Sequence, residues 1–241
     1  MKSARMIESF AWQMQAEMAD VRRIDYRTKH PDRPANWYVA ELGLADGSVR
    51  SRHWWDMADG DWGAGFFQSS ACDSCDDVVG ETADVSFGDA WVEPHASDPG
   101  GTNVVVVRSP AIHRLIEAAR ADGRLALAPV DANFVAQTQA AGLRHRREGL
   151  AYRLSWARSG LAPNKRVEPR ATALPLRRRL VYRLRAQIAR WSHRIFWLAR
   201  TLRQPQLYLA WARTSLALYH AIAWSRGPLG RVIDRLLPPA R

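Results

Sequence analysis

The sequence predicts an α/β (α+β) fold with a mixed β-sheet core and crossover helices, followed by a basic helical C-terminal tail. Residues 103–107 form a continuous β-branched run, which is typical of a strand buried on both faces. Ser109-Pro110 then begins a helix, because proline is favoured at the first helical position. Residues 125–130 are apolar and predict the next strand, and this strand–helix–strand order favours crossover connections within one sheet.

Three further elements are expected before this region. Apolar residues at positions 7, 10, 11 and 14 have helical spacing, so the chain opens on an amphipathic helix. Residues 36–55 contain two runs rich in Trp, Tyr and Val on either side of Asp46-Gly47, which predicts a β-hairpin. Residues 83–87 alternate as in a short strand that ends at Gly88-Asp89.

The charge divides the chain into two parts. Residues 151–241 contain 19 Lys and Arg but only two acidic residues, a net charge of +17, so the first 150 residues carry −6 of the total of +11. Prolines at positions 163, 169 and 175 predict a linker, and residues 176–202 and 206–224 are expected to be helical. The sequence therefore predicts a domain over residues 1–160, a linker over 161–175 and a basic amphipathic helical tail over 176–241.

The tail combines arginine with aromatic residues, which is typical of a helix at a membrane interface. Packing on a partner protein is the alternative, and nucleic acid is the least favoured partner because no known binding module is present. The N-terminus has no secretory signal pattern. We therefore expect a cytoplasmic protein whose tail makes it peripheral at the inner face of the membrane.

Cys72 and Cys75 are the only cysteines, and their C-x-x-C spacing has three interpretations. A redox-active dithiol would need nearby cations to favour the thiolate, whereas acidic residues surround the pair in sequence. A zinc site needs two more ligands, and the nearest histidines in sequence, His53 and His95, match no common zinc spacing. The third interpretation is half of an iron–sulfur site, because cysteine thiolates are suitable ligands for iron. The spacing alone leaves all three open.

Three motifs in order carry a family resemblance: C-x-x-C at 72–75, ADVSFGDAW at 83–91 and GTNVVVVRS at 101–109. Together they resemble the C-terminal domain of the beta-subunit family of coenzyme F-420 hydrogenases and dehydrogenases, which is similar in turn to 7-hydroxymethyl chlorophyll a reductase. The resemblance covers roughly residues 10–150. It also implies that a cysteine-bearing N-terminal region precedes the part present here, so the chain is expected to be N-terminally truncated.

The resemblance implies an iron–sulfur flavoprotein oxidoreductase component that passes electrons between a 4Fe-4S cluster, FAD and a deazaflavin (coenzyme F-420) or other organic acceptor. Cys72 and Cys75 would be two metal ligands, and the others would come from a redox partner protein or the missing N-terminal region. The alternative is a non-catalytic remnant, acting as a membrane-surface or protein-interaction module linked to polysaccharide biosynthesis. No catalytic residue is identified.

Cofactor-binding residues are expected in the second and third motifs. Glycines there would let the backbone approach a flavin or its pyrophosphate, and polar side chains offer hydrogen bonds or charge. The alternative is that Gly88-Asp89 is an ordinary strand-ending turn and Arg108 an ordinary charge at the end of a strand. The candidate residues are Gly88, Asp89, Gly101, Thr102, Asn103 and Arg108.

Overall fold

The computed structural model describes residues 2–156, 164–170 and 174–237. Contacts divide the chain into two units, each of which is described by itself. The first unit comprises Met1–Thr28, Tyr38–Cys75 and Leu150–Arg241. The second unit comprises Lys29–Trp37 and Asp76–Gly149.

The described helices and strands follow one another along the chain, with short turns and 3-10 segments between them. In order they are α1 (Arg5–Gln13), β1 (Val21–Thr28), β2 (Val39–Leu44), β3 (Val49–His53), β4 (Val85–Asp89), β5 (Asn103–Val107), α2 (Pro110–Ala121), α3 (Ala132–Thr138), α4 (Ala140–Arg146), α5 (Glu148–Leu154), α6 (Leu176–Thr201), α7 (Pro205–Trp224) and α8 (Gly227–Leu236).

A three-stranded antiparallel sheet in the order β1-β2-β3 belongs to the first unit. The predicted hairpin is confirmed: β2 and β3 pair with Gly43 opposite Val49. Gly47 in the turn has a φ of +83°, which favours glycine. The side chain of Asp46 accepts a hydrogen bond from the Ser48 backbone N–H at 2.9 Å and stabilises the turn.

The C-terminal helices α6 and α7 pack against each other in the same unit. They confirm the helices predicted over 176–202 and 206–224. Phe196 of α6 is fully buried and stacks on Trp12 of α1 with ring centroids 4.3 Å apart. Phe67 contacts Phe196 edge-on at 5.3 Å and Tyr208 of α7 at 5.4 Å. These helices therefore supply part of the aromatic core of the first unit.

The predicted domain boundaries at residues 160 and 175 stay a prediction. Part of the predicted linker, residues 161–163 and 171–173, lies outside the described residues. Within the described part of the chain, no helix is long and apolar enough to cross a membrane.

The second unit contains a two-stranded antiparallel sheet in which Val85 lies opposite Val107 and Gly88 opposite Val104. The strands predicted over residues 83–87 and 103–107 are present as β4, which runs from Val85 through Asp89, and β5. The expected burial of β5 on both faces is wrong, because Asn103 is exposed and only Val104 is buried. The predicted helix is also present as α2, with proline in its first turn. Because helices accompany both sheets, the α/β (α+β) class is confirmed.

The strand predicted over residues 125–130 is wrong. These residues form no regular element, and Leu125, Leu127 and Val130 are exposed. The chain leaves α2 through Gly123, and the run contains Pro129, which has no N–H to donate to a sheet. The described sheets are therefore both antiparallel, and the expected strand–helix–strand crossover does not form.

We expect that Phe196→Ala lowers the free energy of unfolding by about 3–5 kcal/mol, because it leaves a cavity between three aromatic rings. Urea denaturation followed by circular dichroism measures this change. The neighbouring Trp197 is 58 % exposed, so Trp197→Ala is the matched control and should change stability by less than about 0.5 kcal/mol. Equal effects of the two substitutions would contradict the packing of α6.

Candidate functional site

The segment that bears the cysteines follows a turn anchored by a buried carboxylate, Asp59. Ser9 and Tyr208 donate hydroxyl hydrogen bonds to its Oδ2 at 2.7 and 2.8 Å. Gln13 donates an amide hydrogen bond to Oδ1 at 2.9 Å and accepts one from the Ala58 backbone N–H at 2.7 Å. Burial raises the pKa of Asp59, while these three donors act against the increase. One carboxylate thus joins α1, α7 and the turn.

Asp61 holds the next part of the turn. Its Oδ1 accepts hydrogen bonds from the backbone N–H groups of Gly63 and Ala64 at 2.6 and 3.2 Å. Its Oδ2 lies 2.7 Å from Nε2 of His220 on α7. Burial alone would raise the pKa of Asp61, but the hydrogen bond and charge of His220, together with the two backbone donors, lower it overall. On the same helix, burial raises the pKa of Tyr219 to about 12.

Helix α6 fixes the backbone that enters the cysteine segment. The buried Phe67 backbone N–H donates to Oγ of Ser192 at 2.9 Å, and the Phe67 carbonyl accepts from the Ser3 backbone N–H at 3.0 Å. Gly65 has a φ of +93°, and a Cβ there would lie 3.2 Å from the carbonyl oxygen of Arg185. Glycine is therefore required both by the backbone conformation and by the close approach of α6.

The two cysteines lie at the short 3-10 helix Ser70–Ser74 of the first unit. Cys72 is within this helix and Cys75 immediately follows it. Both side chains are half-buried and neither is in a disulfide. Among the described residues, no group of three or more His, Cys, Asp or Glu side chains could hold a metal ion. The described residues therefore offer at most two thiolates, where a tetrahedral thiolate site requires four ligands.

Cationic side chains from distant parts of the sequence lie near this segment, although its neighbours in sequence are acidic. The guanidinium of Arg153, a buried residue of α5, donates from Nε to the Asp73 carbonyl at 2.9 Å. Burial raises the pKa of the Asp73 carboxyl, while the charges of Arg153, Arg185 and Arg190 act against the increase. The thiol-bearing segment is therefore not in a purely acidic environment.

Lys2 adds another cation on the N-terminal side. Its Nζ donates to the Phe66 carbonyl at 2.6 Å and lies 5.4 Å from the centre of the Trp62 ring. Burial and the charge of Arg185 lower the pKa of Lys2 to about 8, while Cys72 is among the groups that act against this decrease. Lys2 thus adds a cation beside the backbone that leads into the cysteine segment.

A cleft of about 680 Å³ opens beside the cysteine segment in the first unit. Its polar lining combines hydroxyl groups with cationic side chains, an arrangement that favours anions. The cleft also contains one carboxylate, that of Asp73, so the lining is mixed rather than uniformly basic. The polar residues are Ser3, Gln68, Ser69, Ser70, Asp73, Ser74, Arg153, Arg190 and His193.

The predicted cofactor residues all belong to the second unit. Thr102 and Asn103 line a cleft of about 420 Å³ along β5, together with His95, His113 and Phe134. His95 contacts the ring of Phe134 edge-on at 6.0 Å. This cleft brings hydrogen-bonding and aromatic groups together, which is typical of small-molecule sites.

Gly88 and Asp89 lie at the end of β4, beside Gln139. The Gln139 amide donates to the Asp89 carbonyl at 2.9 Å, and a Cβ at Gly88 would lie 3.1 Å from the same amide nitrogen. Gly101 has a φ of +69°, so a side chain there would be strained. Neighbouring side chains already occupy the space at both glycines, since Gln139 lies beside Gly88 and a Cβ at Gly101 would lie 3.3 Å from the Cβ of Ala35.

Arg108 makes local contacts with the loop before β4. Its guanidinium donates to the carbonyls of Ala83 and Val79, each at 3.0 Å, and to the hydroxyl of Ser86 at 3.3 Å. These hydrogen bonds hold the loop before β4 to the end of β5. Its role in cofactor binding stays a prediction, as do those of the other five residues.

Comparison with protein-family models matches residues 1–133 to the family described as the C terminus of the coenzyme F420 hydrogenase/dehydrogenase beta subunit. The chain belongs to this family. The matched region contains the cysteine pair and both strands of the second unit, and it indicates an oxidoreductase domain like that of the beta subunit. It ends before α6 and α7. No curated protein and no solved structure matches the chain.

Several residues that organise the site were not predicted from the sequence: Asp59, Asp61, Ser192, His220 and Lys2. Asp59 and Asp61 lie in a glycine-containing stretch that reads as a simple turn. Asp59 is 149 residues from its partner Tyr208, and Asp61 is 159 residues from its partner His220. No periodicity or local motif connects positions so far apart, so only the fold could reveal them.

We expect that Asp61→Asn lowers the free energy of unfolding near neutral pH by about 1–3 kcal/mol, because a neutral amide accepts weaker hydrogen bonds from the turn and from His220 than the carboxylate does. The pKa of Asp61 is lower in the folded protein than its usual value of 3.8, so the ionised carboxylate stabilises the fold at every pH above 3.8. This stabilisation is lost as the pH falls through the lower pKa of the folded state. The stability difference from wild type should therefore shrink in acid.

Urea denaturation at neutral and acidic pH measures this difference. Asp56→Asn is the control, because Asp56 is an exposed carboxylate in a neighbouring 3-10 helix. A stability difference for Asp61→Asn that is independent of pH would show that its carboxylate charge is not the stabilising feature.

Proposed function

We propose that the chain is an electron-transfer component of an iron–sulfur flavoprotein oxidoreductase. In this proposal the second unit binds FAD, and Cys72 and Cys75 supply two thiolate ligands of a 4Fe-4S cluster. The observation that carries the proposal is the family match, which spans both the cysteine pair and the β4–β5 sheet. The final acceptor would be a deazaflavin such as coenzyme F420 or another organic molecule.

The cleft along β5 suits a planar aromatic ring. Its volume of about 420 Å³ falls within the range of roughly 300–1,000 Å³ of small-molecule sites. Thr102 and Asn103 would hydrogen-bond to polar ring atoms, and Phe134 would offer an apolar contact. When bound, the flavin supplies the hydride or single-electron chemistry. The residues of the chain orient it and limit its access to water.

A complete 4Fe-4S cluster does not fit the described residues, because they offer two thiolates where four ligands are needed. The remaining ligands would come from a redox partner protein or from an N-terminal region beyond the family match. The charges of Arg153, Arg185 and Arg190 favour this half-site, since they act on the same segment and would offset added negative charge.

We expect that the chain, mixed with its redox partner or extended at its N-terminus and reconstituted anaerobically with iron and sulfide, binds iron through the cysteine pair. The double substitution Cys72→Ser and Cys75→Ser should abolish this iron binding, because serine is a poor ligand for iron in such clusters. Iron content and visible absorbance measure the result.

Ser74→Ala is the matched control, because Ser74 lies between the two cysteines. It should retain iron. Iron binding that survives the loss of both cysteines would reject the half-site, and so would a reconstituted complex that never binds iron.

We expect that the double substitution Thr102→Val and Asn103→Leu weakens FAD binding by roughly tenfold or more, since it removes two polar groups from the cleft, each worth about 1 kcal/mol. Quenching of flavin fluorescence measures the affinity. Thr82→Val removes an exposed hydroxyl from a turn outside the cleft and should leave FAD affinity unchanged. Unchanged affinity in the double variant would exclude this cleft as the FAD site.

A further inference from the structure

Helix α8, which belongs to the first unit, packs against α7. Arg177, which is buried, donates to Oδ1 of Asp234 at 2.6 Å, to Oγ of Ser225 at 2.8 Å and to the Ile222 carbonyl at 2.6 Å. Gly230 is buried, and a Cβ at this position would collide with the Ser225 backbone. Asp234 and Gly230, four residues apart, therefore define the side of α8 that faces the protein.

The outer side of α8 carries an apolar stripe. Leu229, Val232 and Leu236 are 50, 50 and 73 % exposed, and their spacing of three and four residues places them on one face of the helix. Trp224, at the end of α7, is 58 % exposed and immediately precedes the turn into α8. Large apolar side chains exposed together in this way mark an interaction surface.

The same helix is flanked by positive charge. Arg226, Arg231 and Arg235 are all exposed. Across residues 176–237 the only acidic residue is Asp234, and its carboxylate is paired with Arg177. The stripe is therefore bordered by arginines. Asp234 does not offset their charge, because it faces inward and is paired with Arg177.

We propose that α8 and Trp224 form a docking surface for an anionic lipid bilayer, with α8 lying in the plane of the interface. Leucine and valine would enter the acyl boundary, arginine would meet lipid phosphates, and tryptophan suits the headgroup depth. A second copy of the chain fits less well, because it would bring the same arginines against each other. Nucleic acid would leave the aliphatic stripe in water.

The experiment uses the purified chain of 241 residues and sedimentation with vesicles of phosphatidylglycerol and phosphatidylcholine in equal parts. The chain should pellet with these vesicles, bind phosphatidylcholine vesicles more weakly, and lose affinity as salt screens the arginines. Absence of binding to the anionic vesicles overturns the proposal. Equal binding to both kinds of vesicle overturns the assignment to anionic lipid.

Two variants separate the apolar and charged contributions. Leu229→Gln with Leu236→Gln keeps helix propensity and should lower the partition coefficient by about tenfold or more, because two large apolar contacts are lost. Arg231→Gln with Arg235→Gln should remove most of the salt dependence and weaken binding to the anionic vesicles. Circular dichroism tests whether each double variant is folded. If one of them does not fold, vesicle binding by the other tests the proposal.

Leu115→Gln is the matched control, because Leu115 is 66 % exposed on α2 of the second unit. It should bind vesicles as the wild type does. Loss of binding in this control equal to that in the α8 variant overturns the assignment to α8. Sedimentation equilibrium adds a further outcome: a dimer that the α8 substitutions dissociate, without any change in vesicle binding, would identify a second copy as the occupant and overturn the lipid proposal.

Discussion

The buried carboxylate of Asp59 is the constraint on which the first unit depends. It accepts hydrogen bonds from Ser9, Gln13 and Tyr208, so it connects the N-terminal helix α1 with α7, which lies close to the other end of the chain. A buried carboxylate is costly unless its hydrogen bonds are satisfied. These donors therefore specify how α1, the turn and α7 come together, and the turn leads directly to the cysteine segment.

Local features of the fold could be predicted from the sequence. The strand Asn103–Val107 and the hairpin around Asp46-Gly47 follow from β-branched and aromatic composition and from turn chemistry over a few residues. The run 125–130 shows the limit of the same reasoning, because its composition suits a strand while Pro129 and the absence of a pairing partner among the described strands prevent one. Composition alone could not indicate whether a partner strand would be present.

The residue types of the candidate site could be predicted from the sequence, whereas their surroundings could not. The C-x-x-C spacing and the motif around Thr102 and Asn103 are the sequence features from which cofactor binding is predicted, and the structure places each of them beside a cleft. The acidic residues beside the cysteines suggested a negative environment, whereas Arg153 reaches the same segment from α5. The family match ends before α6 and α7, yet Ser192 and Tyr208 on these helices hold the segment in place.

Hydrogen–deuterium exchange of the Tyr208→Phe variant is the most direct measurement of the central role of Asp59. Removing one hydroxyl leaves the ring in the core but takes a donor from the carboxylate. If Asp59 joins the helices, amide exchange should accelerate together in α1, in the turn over residues 58–67 and in α7. Acceleration confined to α7, with α1 and the turn as protected as in the wild type, would contradict this role.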